Sequence, residues 1–219
     1  SFTVHERDSG REYRFVLPGP SLGSEEWQAC LALLANTSPD WIISSGSLPP
    51  GVSPDGHAQV ARLAKGLGAR MVLDSSGEAL RAALQEGVWL VKPSLRELSQ
   101  LHGTPLDNAE RQQQAARQLI ADGQAQWVAL SLGAQGAMLI TRQQAWTAEA
   151  LNVAVASSVG AGDSFLAALV WALARQLGPA DALATAVAAG SAAVMTAGTA
   201  LCEAQSVQDL RWQVRVRQC

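Results

Sequence analysis

Short apolar runs alternate with amphipathic stretches of helical length along most of this chain, and that alternation restricts the possible fold more than any other feature. "WIIS" at 41–44, "ARMVLD" at 69–74 and "VWLV" at 88–91 read as strands, with helices at 24–36, 54–67 and 77–86 around them. A strand followed by a helix and another strand implies parallel pairing, because only a crossover of that length brings the chain back to start the next strand in the same direction. Parallel sheets are covered on both faces, and a 219-residue chain with 48% hydrophobic content can supply that cover. Helices near 94–101 and 107–121 follow, then strands "WVALSL" and "AMLIT" around the loop "GAQG", with "AWTA" as a third. The last third reads as helices at 162–175, 179–196 and near 206–216. At the front, "FTVHE" and "EYRFVL" are joined by "RDSGR", whose Asp8-Ser9-Gly10 supplies turn chemistry, so residues 2–17 are expected to form a β-hairpin.

Composition removes several function classes. The net charge is −3 and the basic residues are dispersed, which leaves no electrostatic footprint for nucleic acid or an anionic membrane. Cys30, Cys202 and Cys219 are odd in number and show no metal-ligand spacing, as expected of a reducing cytosol. No apolar stretch reaches the roughly 18 residues of a membrane span, and no basic segment leads an apolar one at the start. A cytoplasmic protein with small-molecule partners is the expectation.

In open α/β sheets, ligands sit beyond the carboxyl ends of the strands. The loops there are "SSGSLPPG", "DSSGEAL", "KPSLREL" and "SLGAQG", all rich in hydroxyls, glycine or single charges. A fifth loop stands ahead of the apolar helix at 162–175: Gly160-Ala161-Gly162-Asp163. Glycines let a backbone approach a ligand closely, and a helix beginning there turns the N–H groups of Ala161, Gly162 and Asp163 into one small space. Such a space suits an anion, phosphate above all. Asp163 could then take the proton of an attacking hydroxyl as its oxygen bonds to phosphorus. Taken alone, Asp163 is equally readable as an acidic residue stabilising a helix start. A dinucleotide fingerprint fits poorly, since Phe165 occupies its third glycine position and no convincing strand leads into the loop. There is no Walker lysine loop and no G-x-S-x-G elbow, and His5, His57 and His102 read as surface or packing residues.

"SVGAGDSF" resembles the C-terminal signature of the ribokinase-like, or PfkB, carbohydrate kinases, commonly D-T-x-G-A-G-D. "SGSLPPG", "LDSSGEAL", "VKPSLREL" and "SLGAQGA" stand in the family's order and spacing, so the resemblance covers essentially the whole chain. It implies a three-layer α/β/α fold with a mostly parallel central sheet and a partial β lid, residues 1–17 forming the lid hairpin and 18–219 the kinase domain. It is greatest to the branch that phosphorylates sugar phosphates. The implied reaction moves the γ-phosphoryl of MgATP to a hydroxyl of fructose 6-phosphate, with fructose 1-phosphate, tagatose 6-phosphate or an inactive nucleotide-binding fragment as alternatives. On this resemblance Asp163 is the catalytic base and Gly160, Ala161 and Gly162 form the anion hole, with Ser158 beside them on the cofactor side. Lys92 and Glu97 face the nucleotide phosphates and hydrated Mg²⁺, Glu97 being the metal residue. Ser131, Gly133 and Gly136 touch the nucleotide, and Ser47 the sugar. A K⁺ ion near the anion hole and a homodimer through Phe2, Val4, Tyr13 and Phe15 of the lid belong to the same expectation.

Two positions depart from the family pattern. Ser94 stands where the family has asparagine in N-x-x-E, which predicts weaker metal affinity or a lower rate, and Ser157 replaces a common aspartate. The chain starts at Ser1, and family members carry further strand–helix units ahead of this point, with a sugar-binding aspartate and part of the lid. The expectation is a chain that keeps most of the nucleotide site, lacks much of the substrate site and presents an unpaired sheet edge.

Overall fold

The computed structural model describes residues 2–9, 12–198 and 200–219. Gly10 of the expected turn and Ser1 lie outside the described residues, as do the side chains of Phe2 and His5. The chain divides into two compact units, one of Ser1–Gly19 with Ala148–Arg217 and one of Pro20–Thr147 with Gln218–Cys219.

The first unit opens with strands β1 (Phe2–His5) and β2 (Glu12–Phe15), antiparallel with Val4 opposite Tyr13, as the sequence predicts.

The second unit holds the sheet. Helix α1 (Ser24–Ala35) precedes β3 (Trp41–Ser45), α2 (Gly56–Leu67), β4 (Arg70–Asp74), α3 (Gly77–Glu86) and β5 (Val88–Val91). Then come α4 (Leu95–His102), α5 (Ala109–Ala121), β6 (Ala125–Ser131), β7 (Ala137–Ile140) and β8 (Ala145–Ala148). The strands lie side by side in chain order. From β3 to β6 they are parallel, with Trp41 opposite Arg70, Leu73 opposite Val91 and Val91 opposite Val128. The β6–β7 pair is antiparallel, since a short loop leaves no room for a crossover. Met71, Leu73, Val91, Val128 and Leu130 from the strands join Ala61, Leu80, Leu84, Leu98 and Ala116 from the helices in one buried core. Among the described residues strand β3 ends the row, and Ile43 on it is 50% exposed.

The helix boundaries have local causes. Gly68 and Gly103 stop α2 and α4 in the left-handed conformation, which glycine adopts without a Cβ clash. Asn108 starts α5 by accepting the Arg111 N–H through Oδ1 at 2.9 Å.

The remainder of the first unit is helical: α6 (Ala161–Ala174), α7 (Pro179–Val194) and α8 (Ala204–Arg211). Gly190 explains the small residues of α7: a Cβ there would come within 3.3 Å of the Ala161 carbonyl oxygen, so the two helices meet backbone to backbone. Arg211 then ties α8 to α7, its Nη2 donating to Asp181 Oδ1 at 2.7 Å and its Nε to Thr185 Oγ1 at 3.0 Å. The helix expected near 206–216 is corrected here. It ends at Arg211, and β9 (Val216–Gln218) follows beside β8, where the Cys219 N–H donates to the Ala145 carbonyl at 2.9 Å. Val214 and Val216 alternate with Arg215 and Arg217, a period-2 pattern that an available sheet edge captures more readily than a helix does. The three cysteines are free thiols, and no described helix is long and apolar enough to cross a membrane.

Candidate active site

Strand register decides what meets at the carboxyl ends of β3 to β6. Because Leu73 lies opposite Val91, the next residues, Asp74 and Lys92, emerge side by side, and Lys92 Nζ reaches Asp74 Oδ2 at 3.0 Å. Lys92 is 7% exposed, so its charge is buried against a matching one instead of standing on the surface. The same register links the next pair of loops. Ser94 and Ser131 form an isolated parallel bridge, the Ser131 N–H donates to the Pro93 carbonyl at 3.0 Å, and Ser131 Oγ donates to the same oxygen at 3.4 Å. Gly133 (φ 59°) then opens a single 3-10 turn and Gly136 closes it at φ 103°, a backbone angle that a side chain would strain.

Glu97 and Ser94 are reciprocal partners at the start of α4. The Ser94 N–H donates to Glu97 Oε2 at 2.7 Å, and the Glu97 N–H donates to Ser94 Oγ at 3.3 Å. This is a capping box, and its S-x-x-E signature was present in "SLRE". Serine at this position, a departure from the family pattern, therefore has a local structural role. Glu97 also lines a cavity of about 160 Å³ with Gly77, Arg81 and Gln100.

Ser47 is exposed in a loop that is otherwise firmly held. Gly46 donates its N–H to the Asp74 carbonyl at 2.8 Å, while its own carbonyl accepts from Ser75 Oγ at 3.1 Å and from His57 Nε2 at 3.1 Å. His57 Nδ1 lies 2.7 Å from Ser44 Oγ. The histidine is a buried packing residue, as its sequence context suggests, and in addition it braces this loop. Burial pushes its pKa below the usual imidazole range, and the bond to the Gly46 carbonyl opposes that shift. Gly51 (φ 89°) packs so closely that a Cβ would collide with the Leu22 carbonyl oxygen. Neither Asp74 nor His57 stood out as a site residue in the sequence; the acid in "LDSS" was the available signal for Asp74, and none marked His57.

In the first unit, Ser158, Gly160, Ala161, Gly162 and Asp163 gather at the start of α6. Gly160 is left-handed (φ 79°, ψ −3°) and forms the N-cap. The helix's first bond runs from the Ser164 N–H to the Gly160 carbonyl at 2.8 Å. The N–H groups of Ala161, Gly162 and Asp163 consequently have no acceptor among the described residues. The Asp163 side chain is exposed and carries neither an ion pair nor a hydrogen bond among them. Ser157, 2% exposed, accepts the Val159 N–H through Oγ at 3.2 Å, while the Ala156 and Ser157 amides donate to the Val194 carbonyl at 2.7 and 3.2 Å. The buried hydroxyl thus shapes the approach to the glycines.

Residues 2–206 match the pfkB family carbohydrate kinase profile. The chain belongs to that family. ATP-dependent 6-phosphofructokinase isozyme 2 of Mycobacterium tuberculosis is 40% identical over 210 residues, 95% of this chain and 62% of the relative, so the chain spans somewhat less than two thirds of that protein. Phosphofructokinase-2 from Escherichia coli has been solved with potassium and superposes at a TM-score of 0.91 with 37% identity, covering 96% of this chain and 69% of that one. Its complex with fructose-6-phosphate gives 0.89 and 35%, covering 96% and 68%. A PfkB member has the ribokinase-like α/β fold, and the mostly parallel sheet of the second unit is that of these kinases.

Proposed function

We propose that this PfkB chain serves an ATP-dependent sugar-phosphate kinase whose acceptor is fructose 6-phosphate. The observation that carries the reading is the start of α6, where a left-handed glycine is followed by three amides and one carboxylate that have no partner among the described residues. Phosphoryl transfer requires donors fixed in advance around the migrating group, together with a base for the attacking alcohol. In this reading Gly160, Ala161 and Gly162 cradle the γ-phosphoryl group and Asp163 takes the hydroxyl proton. The acceptor oxygen bonds to phosphorus, the bond from phosphorus to the bridging oxygen breaks, and ADP leaves with that electron pair. Lys92, Ser131, Gly133, Gly136 and Ser158 serve the nucleotide, and Ser47 the sugar.

The donor set suits Mg²⁺ held largely by water and phosphate. Among the described residues no three acids, histidines or cysteines form a protein cage, and Glu97 offers one carboxylate whose Oε2 already accepts a backbone amide. Bound Mg²⁺ would neutralise charge on the nucleotide phosphates. Potassium beside the glycine turn belongs to the same proposal, supported by the potassium in the Escherichia coli structure. So do a cytoplasmic setting and a homodimer through the hairpin, on which Val4, Tyr13 and Phe15 are 45%, 44% and 47% exposed. The hairpin itself would act as part of a lid that keeps water from the transferred phosphoryl group.

The test is ADP release from ATP with and without fructose 6-phosphate, paired with calorimetric nucleotide binding. Asp163→Asn is expected to lower sugar-dependent turnover by roughly 10²–10⁴-fold with nucleotide affinity retained. Turnover unchanged in that variant overturns the assignment.

A further inference from the structure

At the opposite ends of the same strands, where β4, β5 and β6 begin, the second unit holds a cleft of about 470 Å³. Lys65, Arg70, Gly87, Trp89, Gly123 and Gln126 line it above an apolar floor. Two of these side chains are cations and none is an acid. The Arg70 guanidinium carbon lies 5.1 Å from the Trp41 ring centroid and 5.3 Å from that of Trp89. Those rings meet edge to face at 4.8 Å, and Trp89 stacks on Trp127 at 5.3 Å, so the guanidinium rests against a fixed aromatic group. A contact with ring faces satisfies none of the guanidinium N–H donors, which still need an acceptor. Among the described residues they have none: Arg70 makes no side-chain hydrogen bond and no ion pair.

Lys65 donates to the Glu86 carbonyl oxygen and has no carboxylate partner among the described residues. The nearby Glu86 carboxylate is taken by Arg62 at 2.6 Å. The Gln126 amide also lacks a partner among the described residues. Gly87 and Gly123, at φ 75° and 73°, bring the two flanking loops together, and a Cβ on Gly87 would come within 2.7 Å of the Gly123 carbonyl oxygen. The cleft is therefore built from an arginine held against aromatic rings, a second cation and a neutral amide, with no carboxylate among its lining residues.

We propose that this cleft binds a small multivalent oxyanion, Arg70 supplying the fork, Lys65 a second charge and Gln126 a neutral donor. Phosphate and carboxylate oxygens share the required chemistry, since each accepts paired N–H donors from a guanidinium. An anion seated there joins the end of α2 to the starts of three strands and stabilises the folded chain by mass action. The cleft shares no residue with the start of α6 and stands at the ends of the strands opposite to Asp74, Lys92 and Ser131.

The experiment titrates sodium pyrophosphate and, separately, citrate into the full chain, with sodium chloride as the ionic-strength control. The readout is the Trp89 indole ¹H–¹⁵N resonance, assigned with Trp89→Phe. A saturable shift with pyrophosphate, citrate or both is expected, and the responding anion identifies the oxyanion class. Lys65→Gln and Arg70→Gln should each weaken the midpoint by about tenfold or more, the loss expected for a charge-assisted hydrogen bond. Lys65 is exposed, so its variant retains the fold even if removal of Arg70 disturbs the tryptophans. A shift no larger than with sodium chloride, or the same midpoint in Lys65→Gln and wild type, overturns the proposal. Asp163→Asn should bind both anions as wild type does, which keeps this outcome separate from that of the kinase reading.

Discussion

The loops at the strand ends and the start of α6 satisfy their polar groups in opposite ways. At the strand ends the chain supplies its own partners: Lys92 has Asp74, Ser94 and Glu97 have each other, Ser131 has Pro93, and Gly46 has His57, Ser75 and Asp74. At the start of α6 three amides and a carboxylate are left without partners among the described residues. A closed network fixes geometry, whereas open donors and an open base are available to a ligand. Changes in the first region should therefore lower stability as well as any ligand binding, and changes in the second should lower the chemistry with stability retained.

Breaking the buried pair gives the largest expected effect on stability. Lys92→Met leaves the Asp74 carboxylate without its cation at a mostly buried position and should destabilise the chain by about 3 kcal/mol or more, measured by urea unfolding. Asp163→Asn should barely move the same unfolding curve. Equal losses from both variants would erase the contrast.

A smaller effect separates the two roles of the α4 start. Ser94→Ala removes one half of the capping box and should cost about 1 kcal/mol. Ser94→Asn, which restores the family residue, keeps a good cap and should leave stability nearly unchanged. If the asparagine variant also requires less Mg²⁺ for half-maximal turnover, the serine is a compromise between capping and metal binding.

The mildest probe is pH. Because His57 has its pKa lowered in the folded chain, the unfolded chain binds the extra proton first as pH falls through the imidazole range. Stability should therefore drop on acidification from the unfolded value near 6.5 down through the lower folded value, and be regained as pH rises. His57→Gln should flatten that slope in urea titrations at several pH values. A slope unchanged in the variant would show that His57 contributes nothing to it.

Most of the secondary structure could be read from the sequence because each element is encoded within a short window. The alternation of strand and helix, the glycine stops of α2 and α4, and the Gly160 turn ahead of Asp163 all depend on neighbours in the chain. The C-terminal stretch departs from the helix expected near 206–216 for the converse reason. "QVRVRQ" carries a strand period, but it becomes a strand only where β8 offers an edge.

Sequence by itself determined the order of elements, the family motifs and the acidic residue at the head of an apolar helix. Tertiary structure decided which polar groups would be consumed. Lys92 meets Asp74 because Leu73 pairs with Val91, His57 reaches Gly46 across a packed helix and loop, and Arg70 settles against Trp41 and Trp89. Such pairings depend on strand register and close packing between distant segments, which local periodicity does not encode.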